Sequence, residues 1–301
     1  MKSSAILLIS CPDHKGEVAT IADFVYRHGG NILHADEHAD EESGLFLMRV
    51  EFDPKDFDID LSQLNPAQTS HSNPAASGPS DFGRHFDPVA AKFQMQWRLA
   101  LSSHRPRMII LVSKYDHCLV DLLYRQKSGE LNCDIPLVIS NHHDNRAIAD
   151  FYKVPYEIVI VTKENKAQAE AKIQSLIEDH KPDFMVLARY MQILSNDFVN
   201  RYPQRIINIH HSFLPAFIGA RPYHQAFERG VKLIGATSHY VTQVLDDGPI
   251  IEQDVVRVSH RDTVDDLIRK GRDLEKVVLS RAVRCHVENR VLVYGNKTVV
   301  F

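Results

Sequence analysis

Apolar and polar positions follow three successive rhythms along this chain. Residues 5–10 form one apolar run, broken by Cys11-Pro12-Asp13-His14-Lys15-Gly16. From Glu17 onward Val18, Ile21, Ala22 and Val25 recur at helical spacing until Gly29-Gly30 ends the segment. The runs 32–35 and 45–52 then read as strands flanking an acidic turn at 40–44. Residues 65–80 (NPAQTSHSNPAASGPS) are almost free of large apolar side chains and predict a flexible loop. Phe82, Phe86, Val89, Ala90, Phe93 and Trp97 return to i, i+3, i+4 spacing, which predicts one amphipathic connecting helix. Arg105-Pro106 closes that pattern, and the domain boundary is placed there, dividing 1–104 from 105–301.

Beyond Met108 the rhythm changes. Apolar runs at 108–113, 135–140, 156–161, 184–189 and 206–211 are separated by polar, periodic stretches. This alternation predicts βα units, an α/β fold with a mostly parallel sheet and helices on both faces. In such a sheet the ligand crevice lies outside the carboxyl ends of the strands, so functional residues belong where 184–189 and 206–211 end. A long amphipathic pattern over 263–289 and a hairpin-like 291–300 complete the chain, and no internal repeat is found.

Composition narrows the field. A length of 301 residues suggests two domains, and 44% hydrophobic with 25% charged residues excludes wholesale disorder. With 35 Lys+Arg against 39 Asp+Glu the net charge is -4, which argues against a nucleic-acid partner. No apolar run approaches the roughly 18 residues of a membrane span, and the stretch after Lys2 is too short for a secretion signal. Cys11, Cys118, Cys133 and Cys285 form no C-x-x-C pair. Scattered thiols of this kind fit a reducing, cytoplasmic setting.

The most informative segment is Asn208-Ile209-His210-His211-Ser212-Phe213-Leu214-Pro215. Period-two geometry sets Asn208 and His210 on one side of a strand and His211 on the other. An amide donor beside an imidazole can hold a carbonyl oxygen as it gains negative charge, although the same pair also suits a strand end that satisfies backbone groups. Asp246-Asp247-Gly248-Pro249 is turn chemistry by itself. A carboxylate there would favour imidazolium if it met a histidine, which the sequence leaves open. His142-His143-Asp144 and His210-His211 invite a metal reading, but adjacent strand histidines point apart and no H-E-x-x-H occurs, so no metal is expected.

Asn208-Ile209-His210 with Leu214-Pro215, then His239 and Asp246 before Gly248-Pro249, resembles the signature of the folate-dependent formyltransferases. The resemblance implies a catalytic group of Asn208, His210 and Asp246. It also implies a folate site on the loop Arg189, Tyr190, Met191, Gln192, Ile193 and Leu194, with Val244, Leu245 and Gly248 as the opposite wall. Gln192 stands where many relatives carry arginine, so backbone contacts are expected there. The N-terminal Cys-Pro-Asp-His-Lys-Gly, the helix and Gly29-Gly30-Asn31-Ile32 resemble an ACT domain, a ferredoxin-like α+β module. That likeness implies an amino-acid effector near Asp13, Gly16 and Asn31, or a domain kept only for assembly, and a homo-oligomer with a tetramer favoured. The two modules together are similar to the formyltetrahydrofolate deformylases over nearly the whole chain, with 65–80 reading as an insertion.

That family implies hydrolysis of 10-formyltetrahydrofolate to formate and tetrahydrofolate, with water as co-substrate and no cofactor. The formate would supply purine synthesis and the reaction would balance the one-carbon folate pool. A transferase acting on a nucleotide amine needs a glycine-rich turn to cradle phosphate, yet the first strand of the second domain runs into Val112-Ser113-Lys114-Tyr115-Asp116-His117-Cys118. Ser113 and His117 are candidates for the acceptor side or for helix capping and loop packing. His239 is a candidate for shaping the pocket. Arg221 and Tyr223 suit either the folate tail or a solvated loop. The alternatives are a formyltransferase with an unidentified amine acceptor and an amino-acid sensor with an inactive catalytic domain.

Overall fold

A computed structural model of the chain describes residues 3–61, 80–216 and 221–301. The expected loop at 65–80 lies outside the described residues except for Ser80. Two compact units emerge: 1–105 with 288–292 and 299–301, and 106–287 with 293–298.

The first unit follows the order β1 (Ala5–Pro12), α1 (Glu17–Arg27), β2 (Asn31–Asp40), β3 (Leu45–Asp53), α2 (Asp81–Phe93), β4 (Gln96–Leu101). Its antiparallel sheet runs β2-β3-β1-β4, so the first strand is central, and alternate residues Ala5, Leu7 and Ile9 join the core with Phe24, Phe82, Phe86, Trp97 and Leu99. The expected connecting helix is shorter than its pattern. Gln94 adopts a left-handed φ of 55° and its N–H bonds Ala90 O and Ala91 O, so the helix stops. Trp97 lies in β4 opposite Ile9. Ser80 caps α2 through Gly83 N at 3.1 Å.

Near the C-terminus, residues 288–292 and 299–301 group with the first unit. Buried Arg49 donates from Nε to Asn289 O at 3.1 Å, and Arg98 Nη1 reaches Asn289 Oδ1 at 3.0 Å.

The second unit contains β5 (Arg107–Val112), α3 (His117–Ser128), β6 (Asp134–Ser140), α4 (Arg146–Tyr152), β7 (Tyr156–Ile158), α5 (Lys166–His180), β8 (Phe184–Ala188), α6 (Asn196–Arg201), β9 (Ile206–His210), α7 (Pro222–Arg229), β10 (Leu233–Tyr240), β11 (Ile250–Arg257) and α8 (Val264–Val287). A hairpin of β12 (Val291–Tyr294) and β13 (Lys297–Val300) follows. The seven-stranded sheet is ordered β11-β10-β9-β8-β5-β6-β7, parallel from β9 to β7, with β10 antiparallel to both neighbours. Met108 to Val112 are wholly buried. Each such side chain contributes about 1.5–3 kcal/mol, which makes β5 an anchor of the sheet. Strand order reverses between β5 and β8, where Ser113 N donates to Arg189 O at 3.3 Å. Among the described residues no helix is long and apolar enough to cross a membrane.

Candidate active site

The last residues of β9 meet β10 and the loop that follows it. Asn208 lies directly opposite His239, and Asn208 Nδ2 is 3.2 Å from His239 Nε2. His239 Nδ1 is 2.9 Å from Tyr240 O, so that nitrogen carries a proton and Nε2 accepts from the amide. One amide N–H of Asn208 is thereby spent on orientation and the second is left for a ligand.

Loop 241–249 brings Asp246 back to this pair. Asp246 Oδ2 lies 3.2 Å from His210 Nδ1 and Oδ1 lies 3.7 Å from His239 Nε2. Its φ of 56° is left-handed. At Gly248 any Cβ would stand 1.8 Å from Tyr240 O, so the loop closes this tightly only with glycine there. Burial works to raise the Asp246 pKa, but the hydrogen bond and the charge of His210 outweigh it and hold the carboxyl far below its usual range. With Nδ1 on the carboxylate, His210 presents Nε2. That atom is buried and has no hydrogen-bond partner among the described residues. A satisfied core histidine would not leave it so.

The folate-loop candidates divide by direction. Tyr190 is buried and Leu194 packs on the core beneath β8, whereas Met191 and Ile193 are exposed, as are Val244 and Leu245. Gln192 is half-buried. Ser113 holds this loop: its Oγ donates to Asn141 Oδ1 at 2.7 Å and accepts from Met191 N at 2.9 Å. His117 opens α3 with its Nε2 2.8 Å from Glu275 Oε2. Asp13, Gly16 and Asn31 are exposed on the first unit, in the loop after β1 and at the start of β2.

Sequence reasoning missed a buried ionic network behind His210. Glu275, in the middle of α8, is 1% exposed. Its Oε1 accepts from Tyr223 Oη at 2.6 Å, and its Oε2 faces His117 and, at 3.4 Å, Arg189 Nε. Burial raises the Glu275 pKa, but the His117 bond and the Arg189 charge win and bring it down to about 2. Tyr223 is therefore no solvated loop residue. Its hydroxyl fits because Gly271 leaves room, since a Cβ there would lie 2.1 Å from Tyr223 Oη.

His211 also departs from expectation. Strand alternation ends at His210, and the His211 ring turns back to stack on His210, with centroids 5.1 Å apart and planes at 24°. Arg189 Nη1 bonds His211 Nδ1. Burial first, and the Arg189 cation second, push His211 down to about 3. Two charges at this separation would repel by about 3 kcal/mol at an effective dielectric of 20, so a neutral His211 matters to His210.

His117, Cys118 and Glu275 bring three metal-capable donors within 4.8 Å. The donor set does not suit a cation. Both oxygens of Glu275 are already engaged, Arg189 supplies the positive charge, and burial keeps Cys118 a thiol.

Comparison with known proteins converges on this arrangement. The formyl transferase family model matches residues 106–283, and the ACT domain model matches 5–67. The formyltetrahydrofolate deformylase of Synechocystis sp. is 54% identical over 298 residues, 99% of this chain and 98% of that protein. The crystal structure of the formyltetrahydrofolate deformylase from Pseudomonas syringae pv. tomato superposes with a TM-score of 0.92 at 48% identity, covering 100% of this chain and 95% of that one. A glycinamide ribonucleotide transformylase from Symbiobacterium toebii reaches a TM-score of 0.62 at 30% identity and covers 66% of this chain and 95% of its own. Both modules, in one chain and at this identity, make this chain a member of the formyltetrahydrofolate deformylase family.

Proposed function

We propose that this chain hydrolyses 10-formyltetrahydrofolate to formate and tetrahydrofolate through Asn208, His210 and Asp246. The observation that carries the reading is the buried, unpartnered Nε2 of His210 beside the unspent amide donor of Asn208, with Asp246 on the opposite ring nitrogen. Those two donors would bind the formyl oxygen and strengthen as it becomes an oxyanion. Asp246 keeps His210 charged and orients water. As the water oxygen bonds to the formyl carbon, a water proton moves onto Asp246. Collapse breaks the bond from carbon to N10, and N10 leaves with that proton, giving formic acid that ionises to formate. The low basicity of Asp246 means that it takes the proton only as the carbon–oxygen bond forms.

The exposed apolar side chains Met191, Ile193, Val244 and Leu245 suit the flat pterin, and Ser113 fixes the loop that carries the first two. His239 acts by aiming Asn208. No cofactor beyond the folate substrate enters this chemistry. The N-terminal module is read as an amino-acid-sensing ACT domain with Asp13, Gly16 and Asn31 at its ligand site, in a cytoplasmic homo-oligomer, a tetramer being favoured. From the family alone, the formate feeds purine synthesis and the reaction balances the folate pool.

The test is formate release from 10-formyltetrahydrofolate without added acceptor, in wild type and Asp246→Asn. Equal formate and tetrahydrofolate from wild type, with near silence in the variant, supports the proposal. Turnover that begins only when an amine is added makes the chain a transferase.

A further inference from the structure

The network behind His210 does more than fill space. Arg189 is a large side chain on a residue with φ of 61°, a left-handed conformation that is strained for a non-glycine residue and is retained where the surroundings demand it. It is 9% exposed and spans two groups, with Nε toward Glu275 and Nη1 on His211 Nδ1. An arginine has no acceptor, so His211 Nδ1 must accept, and the His211 proton must sit on Nε2. Glu275 is in turn fixed by Tyr223 and His117. The chain of contacts ends in the ring stacked on His210.

We propose that His211 is a positioning residue for the hydrolysis: Arg189, anchored by Glu275, locks it as an uncharged imidazole against His210, so that the stacked pair carries its single positive charge on His210. The inference rests on the reading of His210 as the oxyanion donor. The charged and titratable groups facing His211 are Arg189 after β8, His210 on β9, Tyr223 on α7, Asp246 in the loop after β10 and Glu275 on α8. The two cationic neighbours oppose a charge on His211 and the two carboxylates favour it. Burial still opposes a charge on His211 once Arg189 is gone. Without that cation, however, the two carboxylates meet less opposition, so His211 protonates at a higher pH than in the wild type and competes with His210 for the charge.

The experiment is the pH profile of kcat for formate release between pH 5 and 8.5 in Arg189→Gln, Glu275→Gln and the double variant Arg189→Gln/His211→Asn. Arg189→Gln is expected to gain an acid limb at or below the ordinary histidine value of about 6.5, approaching a tenfold fall per pH unit. The double variant loses that limb because asparagine cannot charge. Glu275→Gln gains none, since the unpaired arginine opposes His211 protonation still more strongly. Profiles that fall in parallel at every pH would overturn the proposal, as would an acid limb that survives in the double variant.

Should Arg189→Gln not fold, nitrogen-15 NMR of histidine-labelled wild type decides the matter. A His211 ring that stays neutral with its proton on Nε2 from pH 8 to 5.5 supports the lock, and one that titrates in that range refutes it. Failure of the underlying assignment is visible separately, as full turnover in His210→Gln.

Discussion

The two flanks of His210 are built on opposite rules. Toward Asp246 and Asn208, donors are aimed and left unspent: one ring nitrogen has no hydrogen-bond partner among the described residues, and one amide N–H is free of the orienting contact with His239. Toward Arg189, most contacts close on one another: both oxygens of Glu275 and the Nδ1 of His211 are engaged. Arg189 Nε, 3.4 Å from Glu275 Oε2, is held by charge without a hydrogen bond among the described residues. Unsatisfied buried groups cost free energy, so they persist where a ligand will complete them, and saturated ones hold geometry. On the proposed mechanism the first flank governs rate, and the second governs stability and the charge of His210.

Substitutions on each flank can break that division. The largest effect is expected for Asp246→Asn, a loss of about 10²–10⁴ in kcat that dominates any loss of melting temperature, checked by formate assay and thermal scan. Glu275→Leu should do the reverse first. Stranding Arg189 in a buried site costs about 3–5 kcal/mol, to be read from urea denaturation. The wild-type carboxyl is held at about 2 against an ordinary 4.5, so its stabilisation is complete above that ordinary value and is lost as pH falls through about 2. The variant should lack that acid-labile part. A smaller effect, about 1–3 kcal/mol, is expected for Gly271→Ala, which drives a methyl into Tyr223. Ser113→Ala should be the mildest. Loss of its bonds to Met191 N and Asn141, worth about 1 kcal/mol each, loosens the loop proposed to hold folate and is expected to raise KM a few-fold with kcat nearly unchanged. Equal losses of rate and stability at all four positions would erase the distinction between the flanks.

What the sequence disclosed follows the same line. Asn208, His210 and Asp246 stand out because a strand end and a tight turn are local patterns, and their motif is specific. Glu275 is hidden because α8 carries many charges, and only its place between Gly271 and the buried Val278 and Leu279 betrays it. Its partners come from three separate segments, so no spacing rule joins them. His211 was misdirected by an alternation rule that holds only inside a strand, and β9 ends one residue earlier. Trp97 was absorbed into a helix because Phe93 and Trp97 keep helical spacing across the turn at Gln94, where a residue other than glycine adopts a left-handed conformation. Local periodicity thus fixed most elements, while contacts distant in sequence fixed the network.

The first unit is also discontinuous in time. Arg49 emerges from the ribosome some 240 residues before Asn289, the residue whose carbonyl receives its Nε proton. At about 5–20 residues per second, roughly 10–50 s of synthesis separate the two. Through that interval Glu51 is the side-chain partner within reach, at 2.9 Å in the finished fold. The module that holds Arg49 therefore gains this contact only after Asn289 has been made.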